Sequence, residues 1–142
     1  MPHESRPTRK LLRIILDSNA FFIPLQFKID IFEELKRLLN VRYEVILLPP
    51  VQRELQTMAQ EGSPKRKRDA LYALRLAEKC KLIELDEECA DSTPDDIILN
   101  IAHKWKCIVF TNDKELRKRL RDINVPVVYV RQKSRLEIEG RI

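Results

Sequence analysis

Short apolar runs alternate along this chain with segments whose apolar residues recur at helical spacing. The first run, LLRIILDSN at 11–19, is rich in isoleucine and leucine and ends in Asp17, Ser18 and Asn19. An apolar run bounded by polar turn residues is typical of a strand buried on both faces in a parallel sheet. The carboxyl ends of such strands open into the crevice where ligands bind. We therefore expect Asp17 to face a binding site.

The remaining pattern predicts a regular alternation of strands and helices. A turn at 21–24 leads into a helix whose apolar stripe runs from Phe27 to Leu39. The other predicted helices begin near Pro50, Lys65, Pro94 and Asp113, and the other predicted strands cover 43–48, 81–85, 107–111 and 125–130.

Strand and helix alternation of this kind predicts right-handed crossovers and therefore a parallel sheet. The expected fold class is α/β, a single three-layer domain with a central parallel five-stranded sheet and helices on both faces. The expected organisation is a flexible N-terminal arm at 1–10, a domain at 11–131 and a C-terminal tail without clear period at 132–142.

Composition narrows the function classes. The chain has 142 residues, 44% of them hydrophobic, and 27 Lys and Arg against 22 Asp and Glu give a net charge of +5. This favours polyanionic partners such as nucleic acid. Two glycines are too few for a phosphate-binding loop or a dinucleotide-binding turn. Three cysteines without a CxxC pair, and no apolar run long enough to span a bilayer, predict a soluble, cytoplasmic protein with no membrane partner.

Acidic residues occupy related places after successive strands. Asp17 ends the first strand, Glu54 lies near the start of the helix after the second, and Asp113 follows the fourth. Asp95 and Asp96 open the helix after the third strand. All would meet at the carboxyl edge of one sheet, where like charges require a compensating cation. Oxygen ligands suit Mg²⁺ or Mn²⁺, and phosphodiester hydrolysis uses such a metal and its bound water.

A structural interpretation competes at each acid. Asp113 would cap its helix, and Glu54 would interact favourably with a helix dipole. Helical geometry puts Asp95 on the face towards the sheet and Asp96 outside, where Thr93 and Asp96 have the spacing of a capping box. We assign Asp95 to the metal and Asp96 to a cap or supporting role. Asp17 is expected to have no helix to cap.

The segments ILDSNAF (15–21), PPVQREL (49–55), PDDIILNIA (94–102) and FTNDKELRKRL (110–120) together resemble the motifs of PIN-domain ribonucleases. The resemblance implies an endoribonuclease using Mg²⁺ or Mn²⁺. It implies that Asp17, Glu54, Asp95 and Asp113 are the metal-binding acids and catalytic residues. It also implies a supporting role for Ser18, Asn19, Thr111 and Asn112.

The double aspartate and the ending VPVVYVRQKSRLEIE (125–139) are more similar to the branch that acts in small-subunit rRNA processing than to VapC toxins. The family's frequent pairing implies a homodimer. An antitoxin or a ribosome-assembly partner would depend on which branch applies.

Basic side chains would carry the RNA contacts. A single RNA strand needs a positively charged track beside the metal. The interpretation as solvated helix faces stays open for each cluster. The candidate RNA-binding residues are Arg53, Lys65, Arg66, Lys67, Arg68, Arg117 and Lys118.

Two other functions remain. A phosphatase of the haloacid dehalogenase type would need a second aspartate two residues after Asp17, where this chain has Asn19. A catalytically silent RNA-binding scaffold for ribosome assembly would keep the same fold, and it would bind RNA equally well after Asp17→Asn.

Overall fold

The computed structural model describes residues 11–85 and 92–142. The predicted N-terminal arm at 1–10 lies outside the described residues, as does Cys89. No described helix is both long and apolar enough to cross a membrane.

A six-stranded sheet in the order β3-β2-β1-β4-β5-β6 forms the centre of the molecule. β1 pairs in parallel with β2 on one side and with β4 on the other, and β5 extends the parallel set. Ile14, Ile15 and Leu16 of β1 are fully buried, which confirms the strand predicted from the apolar run. The strands are β1 Leu12–Leu16, β2 Tyr43–Leu47, β3 Lys81–Leu82, β4 Ile108–Phe110, β5 Val127–Arg131 and β6 Arg135–Glu139.

Helices cover both faces of the sheet, as the sequence predicts. Right-handed crossovers that move from β1 to β2 and β3 put the first four helices on one face. The crossovers to β4 and β5 move the opposite way and put α5 and α6 on the other face. The helices are α1 Ile23–Phe27, α2 Ile31–Leu39, α3 Pro49–Glu61, α4 Pro64–Ala77, α5 Pro94–Trp105 and α6 Lys114–Asp122.

The sixth strand corrects the five-strand prediction. Part of the predicted tail at 132–142 forms β6, which pairs antiparallel with β5 and buries Leu136. Its apolar positions, Leu136 and Ile138, alternate with charged residues, which is the period of a strand with one covered face. The alternation is too short to stand out from sequence, and the pairing with β5 stabilises it.

Three local predictions also change. The turn expected at 21–24 is instead a short 3-10 helix, Ser18–Phe22, followed by α1. Lys28 adopts a left-handed conformation with φ 56°, so Phe27 ends α1 and does not continue into α2. β3 is shorter than the predicted 81–85.

The sheet order places a crevice at the carboxyl ends of β1 and β4. The chain leaves β1 towards one face and leaves β4 towards the other, which is the switch point where α/β sheets bind ligands. Asp17 follows β1 directly, and Thr111 follows β4 directly. The fold therefore brings the first and fourth sequence motifs together.

Candidate active site

Asp17 is a nearly buried carboxylate at the end of β1. The residue is 5% exposed, and its backbone N–H donates to the Phe110 carbonyl at 3.0 Å. Asp17 also caps the 3-10 helix, because its Oδ1 accepts from the Ser18 N–H at 2.8 Å. The expectation that Asp17 has no helix to cap is therefore wrong, although the cap uses one carboxylate oxygen.

The other oxygen of Asp17 is held by side chains from two strand ends. The Thr111 hydroxyl donates to Oδ2 at 2.8 Å, and Asn19 Nδ2 donates to the same oxygen at 2.9 Å. Thr111 Oγ1 in turn accepts from the Asp113 N–H at 3.1 Å. These bonds fix the orientation of the carboxylate and connect it to the loop that carries Asp113.

Two asparagines join three strands beneath this site. Asn19 Oδ1 accepts from the Asn112 N–H at 3.0 Å, and Asn112 Oδ1 accepts from the Val130 N–H at 2.8 Å. The contacts link the ends of β1, β4 and β5. Of the five residues predicted as supporting, Ser18, Asn19 and Thr111 donate to Asp17. Asn112 bonds to Asn19, and Asp96 lies on α5.

The negative charge of Asp17 is only partly stabilised by its surroundings. Burial raises its pKa, the hydrogen bonds from Thr111, Ser18 and Asn19 oppose that rise, and the charge of Asp113 adds to it. A carboxylate in this setting gains when a cation approaches.

Glu54 and Asp95 belong to the same electrostatic cluster. Burial raises the pKa of Glu54, and the charges of Asp17 and Asp95 raise it further. Burial likewise raises the pKa of Asp95, with contributions from Asp17 and Asp113, and Arg119 opposes this. The charges of Asp17 and Asp95 thus act on Glu54, and the charge of Asp113 acts on Asp17 and Asp95, so the four predicted acids form one electrostatic cluster.

Asp113 combines this position with a structural role. Its Oδ1 accepts from the backbone N–H groups of Glu115 and Leu116 at 2.9 and 3.3 Å, which caps α6. The capping interpretation and the cluster interpretation thus describe the same residue.

Asp96 differs from its neighbour Asp95. Arg119 Nη2 donates to Asp96 Oδ1 at 2.8 Å, and Thr93 Oγ1 accepts from the Asp96 N–H at 3.2 Å to cap α5. The pKa of Asp96 is lowered, chiefly by the bond from Arg119 and then by Thr93. Asp96 already has its own cation, whereas Asp95 faces other acids.

The donor set fits a hydrated hard cation better than a closed cage. Within residues 11–85 and 92–142, no three histidine, cysteine, aspartate or glutamate side chains lie close enough to enclose a metal ion. Mg²⁺ keeps several waters and binds through one or two carboxylates. An all-oxygen set with one nearly buried carboxylate and further acids around it suits that coordination.

The predicted RNA-binding residues have different surroundings. Arg53, Arg66, Lys67, Arg68 and Lys118 are exposed. Lys65 is also exposed, and its Nζ lies 2.9 Å from Asp69 Oδ2.

Arg117 is used inside the fold. Its guanidinium lies 3.8 Å from the centre of the Tyr129 ring, and Nη2 lies 3.6 Å from Glu139 Oε1. These contacts hold α6 against β5 and β6. Arg117 therefore has a structural role that could not be read from the residues next to it in the sequence.

Sequence reasoning missed the pairing of Arg119 with Asp96 and a groove beside Glu54. Both depend on residues that are distant in sequence. The one available signal for the groove was the spacing of Pro50, Arg53, Thr57 and Met58, which share one face of α3.

An open α/β sheet with interacting carboxylates at its switch point defines a class of proteins with an acidic, cation-attracting site. Residues 14–133 match the family model described as a PIN-like domain. The chain belongs to this family, and the resemblance to PIN-domain ribonucleases is confirmed.

Named relatives agree with this assignment. The chain is 35% identical to Ribonuclease VapC4 of Methanocaldococcus jannaschii over 133 residues, 93% of this chain and 100% of that protein. It is 28% identical to Ribonuclease VapC9 of Archaeoglobus fulgidus, over 88% of this chain and 87% of that one.

Solved structures give the same fold. The PIN domain endonuclease Utp24 matches with a TM-score of 0.74 and 29% identity, covering 92% of each chain. A chain of VapBC2 from Rickettsia felis bound to promoter DNA matches with a TM-score of 0.63 at 15% identity, over 84% of this chain and 100% of that one. The latter likeness supports the fold alone.

Proposed function

We propose that this protein is an endoribonuclease that uses Mg²⁺ or Mn²⁺ to hydrolyse RNA phosphodiester bonds. The observation that carries the proposal is the nearly buried Asp17, whose pKa is raised and which interacts with Glu54, Asp95 and Asp113. The two ribonuclease relatives and the Utp24 endonuclease support the reaction class.

In this proposal Asp17, Glu54, Asp95 and Asp113 hold the metal directly or through its waters. A bound divalent cation supplies a water of lowered pKa and stabilises the charge on the leaving oxygen. Thr111, Ser18 and Asn19 keep the Asp17 carboxylate in one orientation through the bonds described above. Asn112 supports them by tying Asn19 to β5. Asp96 holds Arg119 at the rim, where its charge acts on Asp95.

The proposed substrate is single-stranded RNA, including rRNA. The exposed cations would contact its phosphates, because single-stranded nucleic acid binds along positively charged surfaces. The proposed contacts are Arg53, Lys65, Arg66, Lys67, Arg68 and Lys118. The structural stack of Arg117 makes it a weaker candidate than these.

Two biological roles are proposed for the same activity. The motif resemblance to the branch that acts in small-subunit rRNA processing supports a role in rRNA processing or ribosome assembly with an assembly partner. The PIN domain endonuclease Utp24, which matches over 92% of both chains, is compatible with this role. The match to the whole length of VapC4 supports a toxin ribonuclease regulated by an antitoxin. A homodimer would be compatible with either role.

A cleavage assay with metal and with chelator tests the reaction. Wild-type protein with Mn²⁺ is expected to cut unstructured RNA, whereas chelator or Asp17→Asn is expected to abolish cutting. Asp122→Asn is the matched control, because Asp122 is an exposed acid at the far end of α6.

Two results would contradict the proposal. One is equal cleavage by wild type and Asp17→Asn, which would show that cleavage does not depend on the Asp17 carboxylate. The other is RNA binding without cleavage at any tested Mg²⁺ or Mn²⁺ concentration, which would favour the scaffold.

A further inference from the structure

A groove of about 550 Å³ lies between α3 and the start of α5. One wall is a face of α3 that runs from the buried Pro50 to the exposed Thr57, where residues three and four positions apart share a side of the helix. The opposite wall is formed by Ser92 and Pro94 at the start of α5. The described lining residues are Pro50, Arg53, Glu54, Thr57, Met58, Ser92 and Pro94.

The groove opens directly onto the acidic site. Glu54 lines it and also interacts electrostatically with Asp17 and Asp95. Pro94, on the opposite wall, immediately precedes Asp95. A molecule in the groove would therefore lie beside the carboxylates without displacing Asp17, which is held from the sheet side.

The lining combines three kinds of surface. The half-buried Met58 and Pro94 give apolar walls, and the exposed Thr57 offers a hydroxyl that donates or accepts a hydrogen bond. Arg53 adds a planar cation that is exposed to solvent. Such a surface fits a ligand with a flat apolar face, a polar edge and an attached anion.

A nucleotide has all three features. The volume lies within the range of small-molecule sites, about 300–1,000 Å³, so it is sufficient for one base with its sugar. A base enters such a groove only when it is unstacked, which single-stranded RNA allows and a regular duplex does not.

We propose that this groove binds the nucleotide next to the cleaved phosphodiester bond of single-stranded RNA. The base lies against Met58 and Pro94, Thr57 contacts its polar edge, and Arg53 binds the adjoining phosphate. This inference rests on the proposed ribonuclease function, because it takes the acidic site as the place where the bond is cut.

Filling the groove is the first test. Thr57→Phe puts a large side chain into the groove, and Gln56→Phe puts the same side chain on an adjacent exposed position outside the lining. The probe is a short fluorescein-labelled oligouridylate in chelator, measured by fluorescence anisotropy so that cleavage does not interfere. Base contacts in single-strand sites are worth about 1–3 kcal/mol, so Thr57→Phe should weaken binding about tenfold. Gln56→Phe should leave binding within twofold.

Removing the cation is the second test. Arg53→Ala should weaken binding and reduce the salt dependence of log Kd by about 0.7, the value for one phosphate contact on a single strand. Arg53→Lys should retain most of that slope. Arg75→Ala removes an exposed charge from α4 and serves as the control.

Cleavage-site mapping with Mn²⁺ links the groove to the reaction. Wild type and Gln56→Phe should share one base preference beside the cut, and Thr57→Phe should alter it while its melting temperature stays unchanged.

The outcomes separate the two proposals. Equal binding and equal cleavage by Thr57→Phe and Gln56→Phe would overturn the groove and leave the ribonuclease intact. A binding defect specific to Thr57→Phe in a protein that cuts no RNA would support the groove and contradict the ribonuclease.

Discussion

The two ends of this parallel sheet differ in how they use charge. At the amino end a hollow of about 730 Å³ is larger than the groove beside Glu54, and Arg13, Trp105 and Arg141 are among the residues that line it. Arg13 lies 5.6 Å from the centre of the Trp105 ring and 4.0 Å from Glu44. The positive charge of Arg13 is thus close to an aromatic ring and to a carboxylate of opposite charge.

At the carboxyl end the neighbouring side chains carry like charges, which repel one another. Asp17, Glu54 and Asp95 all have raised pKa values, with burial as the first cause and neighbouring acids as a further one. Stability alone does not favour this arrangement, because the acids repel one another. The carboxyl end is thus set apart by repulsion between its acids and not by the size of its cavity.

The largest expected effect separates the two adjacent aspartates of α5. Asp95→Asn should lower cleavage by roughly 100-fold or more, because even residues that only support metal ligands contribute 10–100-fold. Asp96→Asn should lower it by less than about tenfold, since Asp96 contacts Arg119 and Thr93. Single-turnover cleavage with Mn²⁺ measures both. Equal losses in the two variants would contradict the different roles of Asp95 and Asp96.

Thr111→Val should give the next largest effect. Valine keeps the shape of threonine but removes the hydroxyl that donates to Asp17 and accepts from the Asp113 N–H. Leaving such buried groups unpaired costs about 1–3 kcal/mol in the free energy of unfolding. Urea unfolding in chelator measures this loss, and Thr111→Ser should restore most of it. Full stability of Thr111→Val would show that the hydrogen bonds around Asp17 are dispensable.

The pH dependence of stability should reveal the repulsion directly. Since the pKa of Glu54 is raised above 4.5 in the folded state, the folded protein holds this proton to higher pH than the unfolded chain. The protonated Glu54 therefore contributes to the free energy of unfolding. Its contribution is fully present below pH 4.5 and is lost as pH rises through the folded-state pKa of Glu54.

Glu54→Gln cannot ionise, so it removes the loss of stability that ionisation of Glu54 causes. Without metal, the variant should gain stability relative to wild type as pH rises from about 4 to 7, and saturating Mn²⁺ should cancel the gain. Thermal unfolding at each pH measures the difference. A difference that is constant with pH would mean that Glu54 does not interact with its acidic neighbours.

The smallest effect is expected at the amino end. Arg141→Ala changes the larger hollow, which is distant from Asp17 at the other end of the strands. Cleavage should stay within about twofold of wild type, because surface substitutions away from a site change little. A large loss of cleavage would show that the two ends of the sheet act together.

The sequence determined the elements whose signal is local. The apolar run before Asp17 predicted the central strand, and Thr93 with Pro94 predicted the start of α5. The order of strands and helices predicted a parallel sheet and hence one shared edge for the acids. Such signals are carried by neighbours in the chain, so no tertiary contact is needed to find them.

Tertiary structure decided which groups pair across that edge. Thr111 bonds to Asp17 from 94 residues away, and Arg119 bonds to Asp96 from 23 residues away. Arg117 has Tyr129 beneath its guanidinium because β5 passes under α6. β6 forms because β5 offers an edge to a short alternating segment. The strength of these contacts depends on distance and burial in three dimensions, and the linear chain specifies neither until the sheet has formed.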